Sequence, residues 1–150
     1  MLAVIRIRGR VGVRREIRDT LKMLNLEKKH RCVVIPETPQ YLGMVKKVKD
    51  YVTWGKISEE TFIELLKKRG KTLKNEKISE DFLKRRKIKN VEELAKKLMG
   101  GEKPKNLGIK PYFRLSPPSK GFKGSIKQHY PKGALGNRGE KINELLKRMI

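Results

Sequence analysis

The chain is 150 residues long and carries 39 Lys or Arg against 16 Asp or Glu, a net charge of +23. That excess is far beyond what solubility requires and is the electrostatic footprint of a nucleic-acid binder. One cysteine excludes an intrachain disulfide, His30 and His129 make no metal-ligand cluster of recognisable spacing, and apolar runs such as Met1–Ile5 and Cys32–Ile35 are short, so neither a metal protein nor a membrane-spanning one is expected.

Residues 1–57 read as strand, helix, strand, helix, strand. Leu2 to Arg8 is β-rich, and its alternation sets Ala3, Ile5 and Ile7 against Val4, Arg6 and Arg8, predicting one apolar face. Gly9-Arg10-Val11-Gly12 turns the chain. Val13, Ile17, Leu21 and Leu24 then recur at helical spacing, with Arg14, Arg15, Arg18 and Lys22 on the other side. Arg31–Ile35 is a second strand, halted by Pro36. Thr38 is a natural cap and Pro39 a natural first residue for a helix through Leu42, Val45 and Val48. Tyr51–Ile57 is the third strand. Two helices on one side of a small sheet make a minimal α+β layer pair. Cys32 fits that scheme as a buried small hydrophobe. Tyr51 and Trp54 bracket the third strand; packing is favoured for Trp54, while Tyr51 is open between packing and stacking on a base.

Residues 58–100 are helical. Ser58 with Glu59 and Glu60 starts one helix, Phe62, Leu65 and Leu66 form its stripe, and Gly70 stops it. Ser79-Glu80-Asp81 opens a short helix around Phe82 and Leu83, and Asn90 with Glu93 forms a capping-box pattern ahead of Leu94 and Leu98. From Lys103 to Gly139 the chain then runs 37 residues with no Asp or Glu, nine Lys or Arg and five of its seven prolines. Such a stretch cannot bury enough apolar surface to offset its ordering entropy, so it is expected to be irregular and to settle against a polyanion. Its aromatics, Tyr112, Phe113, Phe122 and Tyr130, argue against a plain spacer, and Tyr112–Leu115 predicts one short strand. A closing helix is expected with Asn137 and Glu140 at its cap and Ile142, Leu145, Leu146 and Met149 as its stripe. One compact domain is expected, with 1–57 an α+β core and 58–150 a helical and basic extension packed on it.

The glycine-bearing turn at Gly9–Val13 joins a strand to a helix N-terminus, where free N–H groups, the helix dipole and nearby guanidinium groups suit a phosphate. The turn resembles the phosphate loop of acylphosphatases. Those enzymes also use an Asn from a later strand, and here the only Asn of the first 57 residues is Asn25. Binding of a phosphate backbone is therefore favoured over a merely tight turn, and both over catalysis. The acids cluster at helix starts, where capping explains them, so no catalytic residue is expected.

Thr38-Pro39, then Gly43-Met44, with Val48 and Val52 following, resemble ribosomal protein thirty of the large subunit, the universal family whose eukaryotic member is numbered seven. Glu64–Gly70, Phe113–Pro118 and Gly136-Asn137-Arg138 with Ile142-Asn143 resemble the family's archaeal–eukaryotic extension. A first strand starting at Leu2, without the basic arm of eukaryotic members, points to the archaeal form. The resemblance implies a ferredoxin-like β-α-β-α-β core, with a three-stranded antiparallel sheet and two helices on one face. It also implies a structural role on large-subunit rRNA, possibly beside 5S rRNA, as a monomer among neighbouring ribosomal proteins, with no cofactor. The residues then expected to meet RNA are Arg8, Arg10, Arg14, Arg15 and Arg18 around the first turn and helix, Arg31 on the second strand, and Lys46, Lys47 and Lys49 after the second helix. Arg69 and Lys71 extend the set, as do Arg114, Lys120, Lys123, Lys127, Lys132 and Arg138 from the acid-free segment. A small acylphosphatase-like hydrolase is the alternative, and a chromatin-like DNA binder is a rival without positive support.

Overall fold

The computed structural model describes residues 1–122 and 124–150. Strand β1 (Leu2–Arg6) runs between β2 (Arg31–Ile35) and β3 (Val52–Lys56), antiparallel to both, with Val4 opposite Val33 on one side and Trp54 on the other. Every residue of β1 is buried. Ala3 and Ile5 enter one core with Phe62, Leu65, Leu94 and Ile142, whereas Leu2 and Val4 enter a second core with Leu21, Leu24, Val45 and Val48. Helices α1 (Arg15–Met23) and α2 (Pro39–Lys47) supply the second core. Helices α3 (Glu59–Arg69), α4 (Glu80–Arg85), α5 (Val91–Met99) and α6 (Ile142–Met149) supply the first.

The expected ferredoxin-like α+β core is present, but its sheet has helices on both faces. The alternation in β1 suggested a solvated side, as antiparallel sheets commonly have. Instead Arg6 is only 2% exposed. Its guanidinium donates to the carbonyls of Leu26 at 2.7 Å, Arg8 at 2.9 Å and Gly9 at 3.2 Å. A buried guanidinium is tolerable when its donors are satisfied, and these three carbonyls tie the end of β1 to the turn that follows and to the chain after α1.

The helix starts follow local chemistry. The side chains of Thr38, Ser58, Ser79 and Asn90 accept from the backbone N–H of Tyr41, Thr61, Phe82 and Glu93. Glu93 returns its carboxylate to the N–H of Lys89 at 3.0 Å, one residue earlier than a standard capping box. The closing helix departs from expectation. Asn137 Oδ1 accepts from the N–H of Gly139 at 2.9 Å, but neither the 3-10 turn over Gly139–Lys141 nor α6, which begins at Ile142, has a side-chain cap.

Three more strands widen the sheet to six, in the order β4-β2-β1-β3-β6-β5. The short β4 (Phe113–Arg114), within the expected Tyr112–Leu115 strand, places Arg114 opposite Arg31. Strand β6 (Gly133–Asn137) runs parallel to β3, with Thr53 opposite Gly136, and β5 (Ser125–His129) lies outside it in an irregular pairing. The sequence predicted an irregular segment over this region. What it lacked was a periodic signal: of the buried residues of β6 only Ala134 and Leu135 carry apolar side chains, and they form a small third core with Ile7 and Phe122. The strand is made by a distant partner, the free edge of β3.

The seat of α6 on β3 depends on Gly55. A Cβ there would collide with the carbonyl of Gly139 and come within 2.9 Å of Ile142 Cβ. Gly55→Val is expected to cost about 1–3 kcal/mol, the usual scale of overpacking. Urea unfolding measures it, and a loss below about 0.5 kcal/mol would contradict the tight seat of α6 on β3.

Candidate nucleic-acid interface

The antiparallel and parallel pairings bring the end of β1 and the starts of β2, β3 and β6 to one end of the sheet. Backbone bonds hold the loops there together. The N–H groups of Ile7 and Arg8 donate to Tyr51 O at 2.9 and 3.3 Å, His30 N donates to Arg6 O at 2.8 Å, and Leu115 N donates to His30 O at 3.0 Å. Arg8 lies over the Tyr51 ring, 5.1 Å from its centroid, and Arg31 lies over Tyr112 at 4.0 Å. Arg114 and Lys49 are exposed beside them. Two acidic groups lie at this end, the exposed Glu27 beside Lys28 and Asp50, which is bonded to His129 Nε2 at 2.9 Å.

Lys28 and Lys29 join this end as well, exposed and directly before His30. Sequence reading passed over them, although adjacent lysines in the turn before a strand were a legible signal. Burial, with the charge of Lys29 second, lowers the pKa of His30. The stability tied to this group is therefore present above the ordinary histidine value and is lost as pH falls through the folded one. Burial likewise holds the Cys32 thiol far above its usual range, so Cys32 is the inert core residue expected.

From Leu115 the acid-free segment crosses this end of the sheet on the α6 side. Ser116 N donates to Met149 O and Ser119 N to Arg148 O, each at 3.1 Å. Arg148 returns Nε and Nη2 to Ser119 O at 3.0 and 2.8 Å and also reaches Gly121 O. Arg69 Nη2 donates to Ser116 Oγ at 2.6 Å, and the Phe122 ring stacks 6.2 Å from His30. The segment is held by protein carbonyls and basic side chains, which a reading based on apolar periodicity misses.

The other expected residues are distributed as follows. Arg10, Arg14, Arg15 and Arg18 are exposed along the first turn and α1, and Arg15 lies 4.0 Å from the similarly exposed Asp19. Lys46 and Lys47 are exposed in the last turn of α2. Lys71 sits in a bridge with Lys77 after α3, and its carbonyl accepts from Lys110 N at 3.0 Å. Lys120, Lys127 and Lys132 are exposed, and Lys123 lies outside the described residues. Arg138 is turned inward, donating to Thr53 Oγ1 and Ala134 O, both at 2.9 Å. Trp54 packs in the second core, as expected, and Tyr51 packs there too beneath Arg8.

At the first turn Gly12 has φ +72°, so the tight geometry itself requires glycine. The start of α1 has no side-chain cap. Its first N–H groups are free of such a partner, as phosphate binding needs. Asn25 follows α1 with its N–H on Lys22 O and belongs to no strand, so the later-strand Asn of an acylphosphatase is missing. Among the described residues no group of His, Cys, Asp and Glu is arranged to hold a metal ion.

Residues 2–52 match the family described as Ribosomal protein L30p/L7e. The chain is 50% identical to the large ribosomal subunit protein uL30 of Nanoarchaeum equitans over 153 residues, covering all of this chain and 99% of that protein. It is 51% identical to the uL30 protein of Methanococcus vannielii over 151 residues, covering 99% and 98% of the two. Against the uL30 protein of Archaeoglobus fulgidus the identity is 49% over 152 residues, covering 99% of each.

Replacing Arg10, Arg14 and Arg15 together with Ala is expected to weaken RNA binding while changing stability by less than about 0.5 kcal/mol, because all three are exposed. Paired affinity and thermal-melting measurements check this. Lost stability with unchanged affinity would assign these arginines to the fold.

Proposed function

The chain belongs to the ribosomal protein L30p/L7e family in its archaeal form, and from that premise we propose which of its surfaces meet RNA. As a family member it is a structural, non-enzymatic constituent of the large ribosomal subunit, associated with rRNA and ribosomal proteins. The hydrolase alternative has no support. We propose that rRNA lies against the sheet end where Arg8, Arg31, Lys49 and Arg114 converge, and along the α1 face of Arg10, Arg14, Arg15 and Arg18. The remaining exposed cations, Lys46, Lys47, Lys120, Lys127 and Lys132, widen this contact. A single copy binds, close to 5S rRNA, with residues 1–57 providing the main contact and 58–150 bracing it.

The observation carrying this reading is the convergence of four loops that bring cations to one sheet end, where Asp50 is already engaged by His129. Cations left without protein carboxylates attract phosphates and release the counterions of the RNA on binding. Arg8 and Arg31 also lie over tyrosine rings, and arginine paired with an aromatic face suits nucleic-acid contact.

The isolated protein is expected to bind rRNA with a steep salt dependence. If about six phosphates are neutralised, affinity falls by roughly a thousandfold between about 50 and 200 mM salt. A nearly flat response would reject the electrostatic account. Competition between 5S and the larger rRNA in the same titration tests the assignment to 5S.

A further inference from the structure

A second feature lies between the end of the acid-free segment and α6. A cavity of about 550 Å³ is lined by Lys120, Tyr130, Arg138, Lys141, Glu144 and Arg148, among others. That is within the size range of small-molecule sites. Four of these six residues are cationic, and the one carboxylate, on Glu144, is engaged by Lys141 Nζ at 3.3 Å. The wall carries an aromatic surface: Tyr130 is 37% exposed, and the Arg138 guanidinium lies over its ring, 5.3 Å from the centroid.

The cations on the wall are positioned, not free-floating. Arg138 uses Nε on Thr53 Oγ1 and one Nη2 hydrogen on Ala134 O. Arg148 spends Nε and Nη2 on Ser119 O and Gly121 O. A guanidinium has five N–H donors, so each retains donors after its structural bonds are made. Burial lowers the pKa of Arg138, with Tyr130 partly opposing the shift, but an arginine stays charged throughout the physiological range. Lys120 has no side-chain partner among the described residues.

Rigid arginines with spare donors, flexible lysines and an exposed ring in one cavity match the parts of a nucleotide. The cations suit the phosphate, the ring suits the base, and the volume admits one nucleotide and not a duplex. We infer that this cavity receives a single unpaired nucleotide, extruded from the RNA, with its base on Tyr130 and its phosphate between Arg138, Arg148 and Lys120. The site deepens the rRNA-binding reading and rests on it. It adds a stacking contact to a surface otherwise read as electrostatic, and it selects bulged RNA over continuous helix. Stacking on an aromatic is tolerant of base identity, so the site reads the presence of a bulge more than its sequence.

The test uses the full chain, a fully paired RNA hairpin, the same hairpin with one bulged nucleotide, and adenosine monophosphate as the free-nucleotide probe, all at one ionic strength. Preference for the bulged hairpin is expected to be about tenfold, the scale of one base stacked on one aromatic side chain. Tyr130→Ala is expected to remove that preference and leave paired-hairpin affinity unchanged, and Tyr130→Trp to retain it. Equal affinity for both hairpins overturns the cavity assignment while leaving general rRNA binding intact. Binding of adenosine monophosphate without a bulge preference reassigns the cavity to free nucleotides and likewise overturns it. Absence of salt-dependent binding to either hairpin contradicts the broader reading instead. If Tyr130→Ala lowers paired and bulged affinity equally, Tyr130 supports the fold and the inference fails.

Discussion

The structure depends on the double burial of β1. With Ala3 and Ile5 in one core and Leu2 and Val4 in the other, this five-residue strand anchors both helical layers. Full burial of a Val, Leu or Ile side chain contributes about 1.5–3 kcal/mol, so the strand commits both faces of the sheet to protein and leaves neither for RNA. Polar function is displaced to the ends of strands and the outer surfaces of helices. Arg6, the one charge retained within β1, is consumed by three carbonyls and stiffens the turn that carries Arg10.

The C-terminal region completes the same arrangement. Strand β6 adds in parallel to β3, α6 sits over Gly55, and the intervening chain is pinned by Arg148, Arg69 and the ends of α6. Basic residues here have two jobs. Those turned inward satisfy carbonyls that would otherwise be stranded, and those turned outward are available to phosphate. A protein with 39 basic side chains can assign some to its own backbone and still present a cationic surface. Arg138, among the residues expected to meet RNA, does both: it bonds Thr53 and Ala134 and keeps donors for the cavity beside Tyr130.

Local features were legible in the sequence. Thr38, Ser58, Ser79 and Asn90 cap their helices because a side-chain oxygen three residues before an N–H is a short-range signal, and the Ile142–Met149 stripe buries as its spacing predicted. Contacts formed by distant partners were not. The alternation in β1 could not reveal that a second helical layer, built from residues beyond position 58, would cover its other face. Strands β5 and β6 were hidden because Gly133–Asn137 carries one buried apolar pair and otherwise depends on the edge of β3. For the interface, individual cations such as Arg8 and Lys49 were visible, but their convergence with Lys28 and Lys29 needed the topology.

The central claim is that the sheet end and the α1 face, and not the protein's generally basic surface, meet RNA. Lysine-selective labelling followed by mass spectrometry, on the free protein and on the protein within the large subunit, tests it directly. The account predicts that Lys28, Lys29, Lys49 and Lys120 lose reactivity in the subunit while the exposed Lys84 and Lys89 of the α4–α5 region stay reactive. Protection of Lys84 and Lys89 with unchanged labelling at the sheet end would contradict it.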